Sequence, residues 1–152
     1  MDEKDLLIAE LENKLKYMEE IIRTMDVPII ESVLTRTILM PITGHLFPTR
    51  IEMIDQHLYK YLDEHRLVQI IIIDFTAISQ RYIALIDGDT LSAALANLNQ
   101  TLQVIGIRTI YTGFQPEVAY TFINSGFSQK LETYPTYRNA VLKLVAEGQG
   151  IE

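Results

Sequence analysis

Two short stretches put oxygen-bearing side chains within reach of one another. Asp74-Phe75-Thr76-Ala77-Ile78-Ser79 sets a carboxylate two residues from one hydroxyl and five from the next. Asp87-Gly88-Asp89-Thr90 sets two carboxylates beside a third hydroxyl. Such groups can carry charge and exchange hydrogen bonds, but the rest of the chain does not complete them into a catalytic set. Asp87-Gly88-Asp89 matches the start of a calcium loop and lacks the later ligands and terminal glutamate that one needs. His57 and His65 stand eight apart on one predicted helix, too far to share a metal, and His45 falls in a turn. There is no Gly-x-Ser-x-Gly nucleophile turn, no His-x-x-x-His pair and no glycine-rich phosphate cradle. The expectation is a non-enzymatic protein without metal or cofactor.

The elements that must carry these residues read as alternating strands and helices. Val68-Gln-Ile-Ile-Ile-Ile-Asp74 is an almost unbroken apolar run rich in β-branched residues, the mark of a central strand covered on both faces. Asp74, Thr76 and Ser79 then lie beyond its carboxyl end, where open α/β sheets expose their loops to ligands and partners. A helix is predicted from about Thr90 to Val104, capped by Thr90, with Leu91, Ala94, Leu95, Leu98 and Leu102 inward and Gly106 ending it. Strand Arg108–Thr112 follows. Pro116 and Glu117 then suit the first turn of a short helix, and Gly126 can adopt the left-handed conformation that closes it. A weak strand near Lys130–Thr133 leads to a last helix, Thr136–Ala146, with Val141, Leu142 and Val145 on one side.

Upstream, Ile29-Ile30, Val33-Leu34 and Thr37–Met40 suggest short strands turning at Glu31 or at Thr35-Arg36, and Pro41–Gly44 ends them. Thr49 is expected to cap a helix whose face is Ile51, Ile54, Leu58, Tyr61 and Leu62. The alternation predicts one α/β domain with a mixed, mainly parallel β-sheet covered by helices and a hairpin at its start. The Asn99-Gln100-Thr101 sequon reads as a chance match on a helix.

Ahead of this domain, Ile8, Leu11, Leu15, Met18, Ile22 and Met25 recur at alternating spacings of three and four. That period of 3.5 fits the a/d seam of a coiled coil. With Ile8 at position a, Lys14 falls at g and Glu19 at the following e, facing one another in a parallel dimer. The alternative is an amphipathic helix folded back on its own domain. Residues 1–26 therefore read as a dimerising N-terminal helix, 27–147 as the globular domain and 148–152 as a disordered tail. The formal charge of −7, with acids and bases interspersed, argues against nucleic acid and anionic membrane as partners. No apolar run approaches the ~20 residues of a membrane span. The first residues lack a secretion signal's profile, and there are no cysteines, so a cytoplasmic location is expected.

Three segments carry a family likeness. Gly113-Phe-Gln-Pro116-Glu-Val-Ala, running on to Gly126, closely resembles the last third of STAS domains, the fold of sulfate-transporter tails and anti-sigma-factor antagonists. Ile38-Leu-Met-Pro41-Ile42-Thr-Gly44-His-Leu46 with Arg50 resembles the first hairpin of the RsbR-type co-antagonists that build bacterial stressosomes. Asp74-Phe75-Thr76 resembles the family's Asp-hydrophobic-Ser/Thr at the end of the central strand, with Ala77 in place of the usual glycine. The likeness covers about residues 26–146.

This resemblance implies a homodimer assembling with other STAS-domain proteins and with a serine/threonine switch kinase that controls a sigma factor. It also implies regulation by phosphate at a helix amino end, where free N–H groups and the helix dipole favour an anion. Without gaps, Tyr82-Ile83 fills the family's Asp-Ser/Thr slot, and isoleucine accepts no phosphate. With the extra residues placed between Ser79 and Gly88, Asp89-Thr90 becomes the pair. Shifted by one, Asp89 replaces the hydroxyl as a standing negative charge. The phosphorylation candidates are thus Thr90, then Ser79 and Thr76, with Thr49 as a second site near Arg50, and Asp74 and Asp89 belong to the partner surface. A plain capping role for Thr90 stays open, as does a small-ligand or nucleotide-binding sensory module at the strand-end crevice.

Overall fold

The structure is a computed structural model that describes residues 2–24, 27–127 and 129–151. Its elements run α1 (Glu3–Thr24), β1 (Ile30–Glu31), β2 (Thr37–Pro41), α2 (Pro48–Glu64), β3 (Ile70–Asp74), α3 (Gly88–Val104), β4 (Arg108–Thr112), α4 (Pro116–Asn124), β5 (Glu132–Tyr134) and α5 (Tyr137–Ala146). The strands pair in chain order, β1 antiparallel to β2 and the other neighbours parallel. Ile71, Ile72 and Ile73 sit opposite Ile38, Leu39 and Met40 on one side, and opposite Thr109, Ile110 and Tyr111 on the other.

Alternation along the strands divides the core in two. Ile38, Met40, Ile71, Ile73 and Tyr111 point to the face covered by Leu58 and Leu62 of α2, Leu95, Leu98 and Leu102 of α3, and Val118 and Phe122 of α4. Ile70, Ile72 and Ile110 point the other way, onto Ala140 and Leu144 of α5 and onto Leu34. β3 is therefore buried on both faces, as its unbroken apolar run demands.

Several expectations change. Val33 and Leu34 form no strand; Leu34 makes an isolated bridge to Ile151. The last residues are not a free tail: Thr35 N donates to Gly150 O at 2.9 Å, and Gln149 Nε2 bonds Thr35 O. Those backbone groups between β1 and β2 need partners, and the tail supplies them. On α5 the inward pair is Ala140 and Leu144, one turn apart, while Leu142 and Val145 are exposed. β5 starts two residues later than the predicted strand and ends one later.

The apolar residues of α1 from Leu6 to Met18 stay exposed, although the helix also meets α2. Ile8, Leu11, Leu15 and Met18 are 48%, 51%, 60% and 59% exposed. Leu7 and Ile21, both at g positions of this register, are exposed too and widen the apolar stripe. Lys14 pairs along its own helix with Glu10 at 3.7 Å. Met25 and the side chain of Ile22 lie outside the described residues.

Candidate functional site

β3 delivers Asp74 to the carboxyl end of the sheet, directly opposite Thr112 of β4. Its carboxylate organises the turn that follows: Oδ1 accepts the Thr112 hydroxyl at 2.5 Å and the Thr76 hydroxyl at 3.0 Å, and Oδ2 accepts Thr76 N at 3.3 Å. This is the self-bonded turn that aspartate favours. Phe75 N donates to Thr112 O at 2.8 Å, and Gln115 Nε2 to Thr76 O at 3.0 Å, so the turn is fastened to the β4–α4 connection. Below it, the Phe75 ring stacks on Phe114 with centroids 4.8 Å apart, and Phe114 meets Phe122 edge-on at 5.6 Å. Thr76 is exposed, with its hydroxyl proton committed to Asp74.

The segment between Asp74 and α3 holds a 3₁₀ turn, Gln80–Ile83, anchored by buried Ile78 and Ile83. Ser79 stands at the start of that turn without a capping bond from its side chain, and is half-buried. Tyr82 O accepts Leu46 N at 2.7 Å, which ties the turn to the β2–α2 loop.

Thr90 is not the cap of α3. Asp87 is, because its carboxylate reaches both donors of Thr90, accepting Thr90 N and the Thr90 hydroxyl, each at 2.8 Å. These bonds hold the Asp87 carboxyl below its ordinary range. Thr90 and Asp89 are both exposed in that turn, so α3 begins with two carboxylates at its positive end. Gly88 packs beside Thr121 of α4, where an added Cβ would lie 3.1 Å from Thr121 Cγ2. Thr49 is likewise not a cap. Pro48 takes the first position of α2, and Thr49 follows it, exposed.

The site residues thus form two groups at the carboxyl end of the sheet: Asp74, Thr76 and Thr112 on the strand ends, and Asp87, Asp89 and Thr90 at the start of α3. Ser79 lies between them in sequence, and Thr49 belongs to a different helix. Thr112 was missed because threonines are ordinary strand residues, and only register shows this one facing Asp74. Asp87 was missed because both Asp87 and Thr90 fit a capping position.

Arg50, also missed as a buried group, is 6% exposed and lies along Gly44, donating from Nη1 to His45 O at 2.8 Å. Desolvation lowers its pKa. Asn99 of the sequon is buried, accepting the Tyr111 hydroxyl at 3.1 Å, which leaves it unsuited to glycosylation. Among the described residues, no group of three or more histidines and carboxylates is arranged to hold a metal, and no helix is long and apolar enough to cross a membrane.

Comparison with known proteins agrees with this architecture. A search of curated proteins gives no match. Among solved structures, a Ser-to-Glu variant of Moorella thermoacetica RsbS is similar with a TM-score of 0.62 at 17% identity, over 80% of this chain and 97% of that one. A chain from the structure titled "Molecular architecture of the stressosome, a signal integration and transduction hub" gives 0.56 at 17% identity, over 80% and 98%. The anti-sigma factor antagonist SpoIIAA in its unphosphorylated form gives 0.55 at 19%, over 79% and 96%. At these identities the likeness establishes the fold. The STAS domain model matches residues 24–140, most of the chain, and the protein therefore belongs to the STAS-domain family.

Proposed function

We propose that this protein is a non-enzymatic scaffold of a stressosome-like complex, holding and releasing a serine/threonine switch kinase to control a sigma-factor stress response. The observation that carries the reading is the amino end of α3, where exposed Thr90 is bonded to exposed Asp87 beside Asp89. A docking partner there meets a surface whose charge is set by these three residues. Thr90 is the first candidate for phosphorylation, with Ser79, Thr76 and Thr49 behind it. A phosphate on Thr90 would break the Thr90–Asp87 hydroxyl bond and place a dianion among two carboxylates. Left unmodified, Asp87 and Asp89 keep a standing negative charge at the same place.

The exposed apolar stripe of α1 supports a homodimer through a parallel coiled coil, with Ile22 and Met25 the next a and d positions of the sequence pattern. Fewer than three heptads form a marginal coiled coil alone, so contacts between the STAS domains would add to it. The test is to isolate the tagged protein gently from its native cells and measure particle mass and composition. A megadalton-scale particle containing other STAS chains and a serine/threonine kinase supports the reading, and the recovered kinase then serves to map phosphate sites. A lone dimer without either overturns it.

The second reading, a small-ligand sensory module, is favoured by an apolar crevice between α2 and α3.

A further inference from the structure

The core is not closed between α2 and α3. A crevice of about 50 Å³ enters there, with Ile51 and Ile54 of α2, Ala94, Leu95 and Leu98 of α3, and Ile73 of the sheet among its walls. By the ~10–15 Å³ that one water-sized body needs, it has room for about three to five. The walls are hydrocarbon, and an apolar space of this kind does not hold water well.

One carboxylate breaks the pattern. Asp55 belongs to the crevice wall, is half-buried, and among the described residues makes no hydrogen bond and no ion pair. Carboxylates taken out of water are normally paired. Here α3 carries no charged side chain from Leu91 to Val104. The charge that acts on Asp55 is that of Glu52, of the same sign and one turn earlier on α2. The remaining titratable groups close to it are the phenols of Tyr59 and Tyr111. Among the described residues nothing neutralises this group.

We propose that the crevice binds a small molecule with a short hydrocarbon arm and a protonated amine, the arm against Ile54, Ala94 and Leu98 and the ammonium at Asp55. A bare metal ion would find one carboxylate among hydrocarbon, which is no coordination sphere. An anion would meet Asp55 and Glu52. A neutral hydrocarbon would fill the space and leave the carboxylate unanswered. Phe75 and Leu91 also line the crevice, and they are the chain neighbours of Asp74 and Thr90. An occupant would therefore touch residues next to both groups of the candidate docking site. The binding itself stands apart from the docking role and is measured without any partner protein.

The experiment is a titration of the full chain with n-butylammonium, followed by carbon–proton NMR of the Ile and Leu methyl groups, with n-butanol and butanoate as matched probes. The expected result is saturable shifts at Ile54, Ile73, Leu95 and Leu98, strongest for the ammonium and absent for butanoate. Asp55→Asn should weaken ammonium binding about fivefold, the worth of one partly exposed ion pair, and leave butanol unchanged. Ala94→Leu should fill the space and abolish both. Butanoate or butanol binding as tightly as the ammonium, shifts centred elsewhere, or no saturable shift would each overturn the proposal.

Discussion

Gly113 leaves the space that the Thr76 turn occupies. A Cβ at Gly113 would fall 2.7 Å from Thr76 N and 2.9 Å from Thr76 Cα, both backbone atoms that cannot swing aside. Gly113 also holds φ at +75°, where side chains with a Cβ are strained. The glycine that ends β4 and the turn that ends β3 are thus one construction.

Gly113→Ala should cost about 2–4 kcal/mol, from left-handed strain and overpacking together. Chemical denaturation of the variant checks this. A loss under 1 kcal/mol would mean that the turn moves freely and that Asp74 does not hold it.

At α3, Asp87→Ala should lower the melting temperature and Asp87→Asn should change it much less, since asparagine caps nearly as well. Thr90→Val keeps the N–H that Asp87 accepts and removes the hydroxyl, so thermal stability should change little. The three melting curves separate a capping role from a docking role. Kinase binding that follows Asp87→Asn, with stability unchanged, isolates the charge.

Leu15→Lys together with Met18→Lys should yield a folded monomer by light scattering. Both side chains are exposed in the single chain, so the changes leave the domain intact and load the seam with charge. An unchanged mass would place the dimer contacts elsewhere.

Burial, with Glu52 adding to it, raises the Asp55 carboxyl from 3.8 to about 6. The folded state therefore holds a proton that the unfolded state has released, and this contribution is full below pH ~4 and lost as pH rises through about 6. Asp55→Asn should match the parent near pH 4 and exceed it by about 1–2 kcal/mol at pH 7.5, after allowance for solvent screening. Urea midpoints at the two pH values test the sign. A parent more stable than the variant at pH 7.5 would show that the carboxylate has a partner.

Arg108 pulls in the opposite direction on the pH axis. It forks onto Glu132 at 2.8 and 2.6 Å and reaches Glu147 at 2.7 Å, joining β4, β5 and the end of α5. Its guanidinium lowers both glutamates, so their contribution is present above the ordinary glutamate range and lost as pH falls through the depressed values. Arg108→Met should cost about 1 kcal/mol at pH 7 and little near pH 3, by denaturant midpoints.

What could be read from the chain depended on how local the cause was. The buried strand ending at Asp74 and the helix between Pro116 and Gly126 were legible because apolar runs, proline and glycine act within a few residues. The first turn of α3 was misassigned between Asp87 and Thr90, since both are good capping residues and only backbone geometry separates them. α5 was rotated in the reading because its inward pair includes Ala140, which a search for large apolar residues passes over. Asp55 could not be singled out at all. A carboxylate on an amphipathic helix looks solvated until the uncharged helix opposite it is seen. The Asp74–Thr112 contact needed the register of two strands 38 residues apart.

The tail pinned at Gly150 and Ile151 has a consequence for how copies of this protein can gather. Leu34 and Thr35 sit where the sheet's first hairpin turns, and their backbone groups are the kind that recruit a foreign strand. With those groups satisfied from within, growth by strand addition is blocked at that point. Strand addition to this sheet is then left to the outer edges of β1 and β5, the two short strands at its ends.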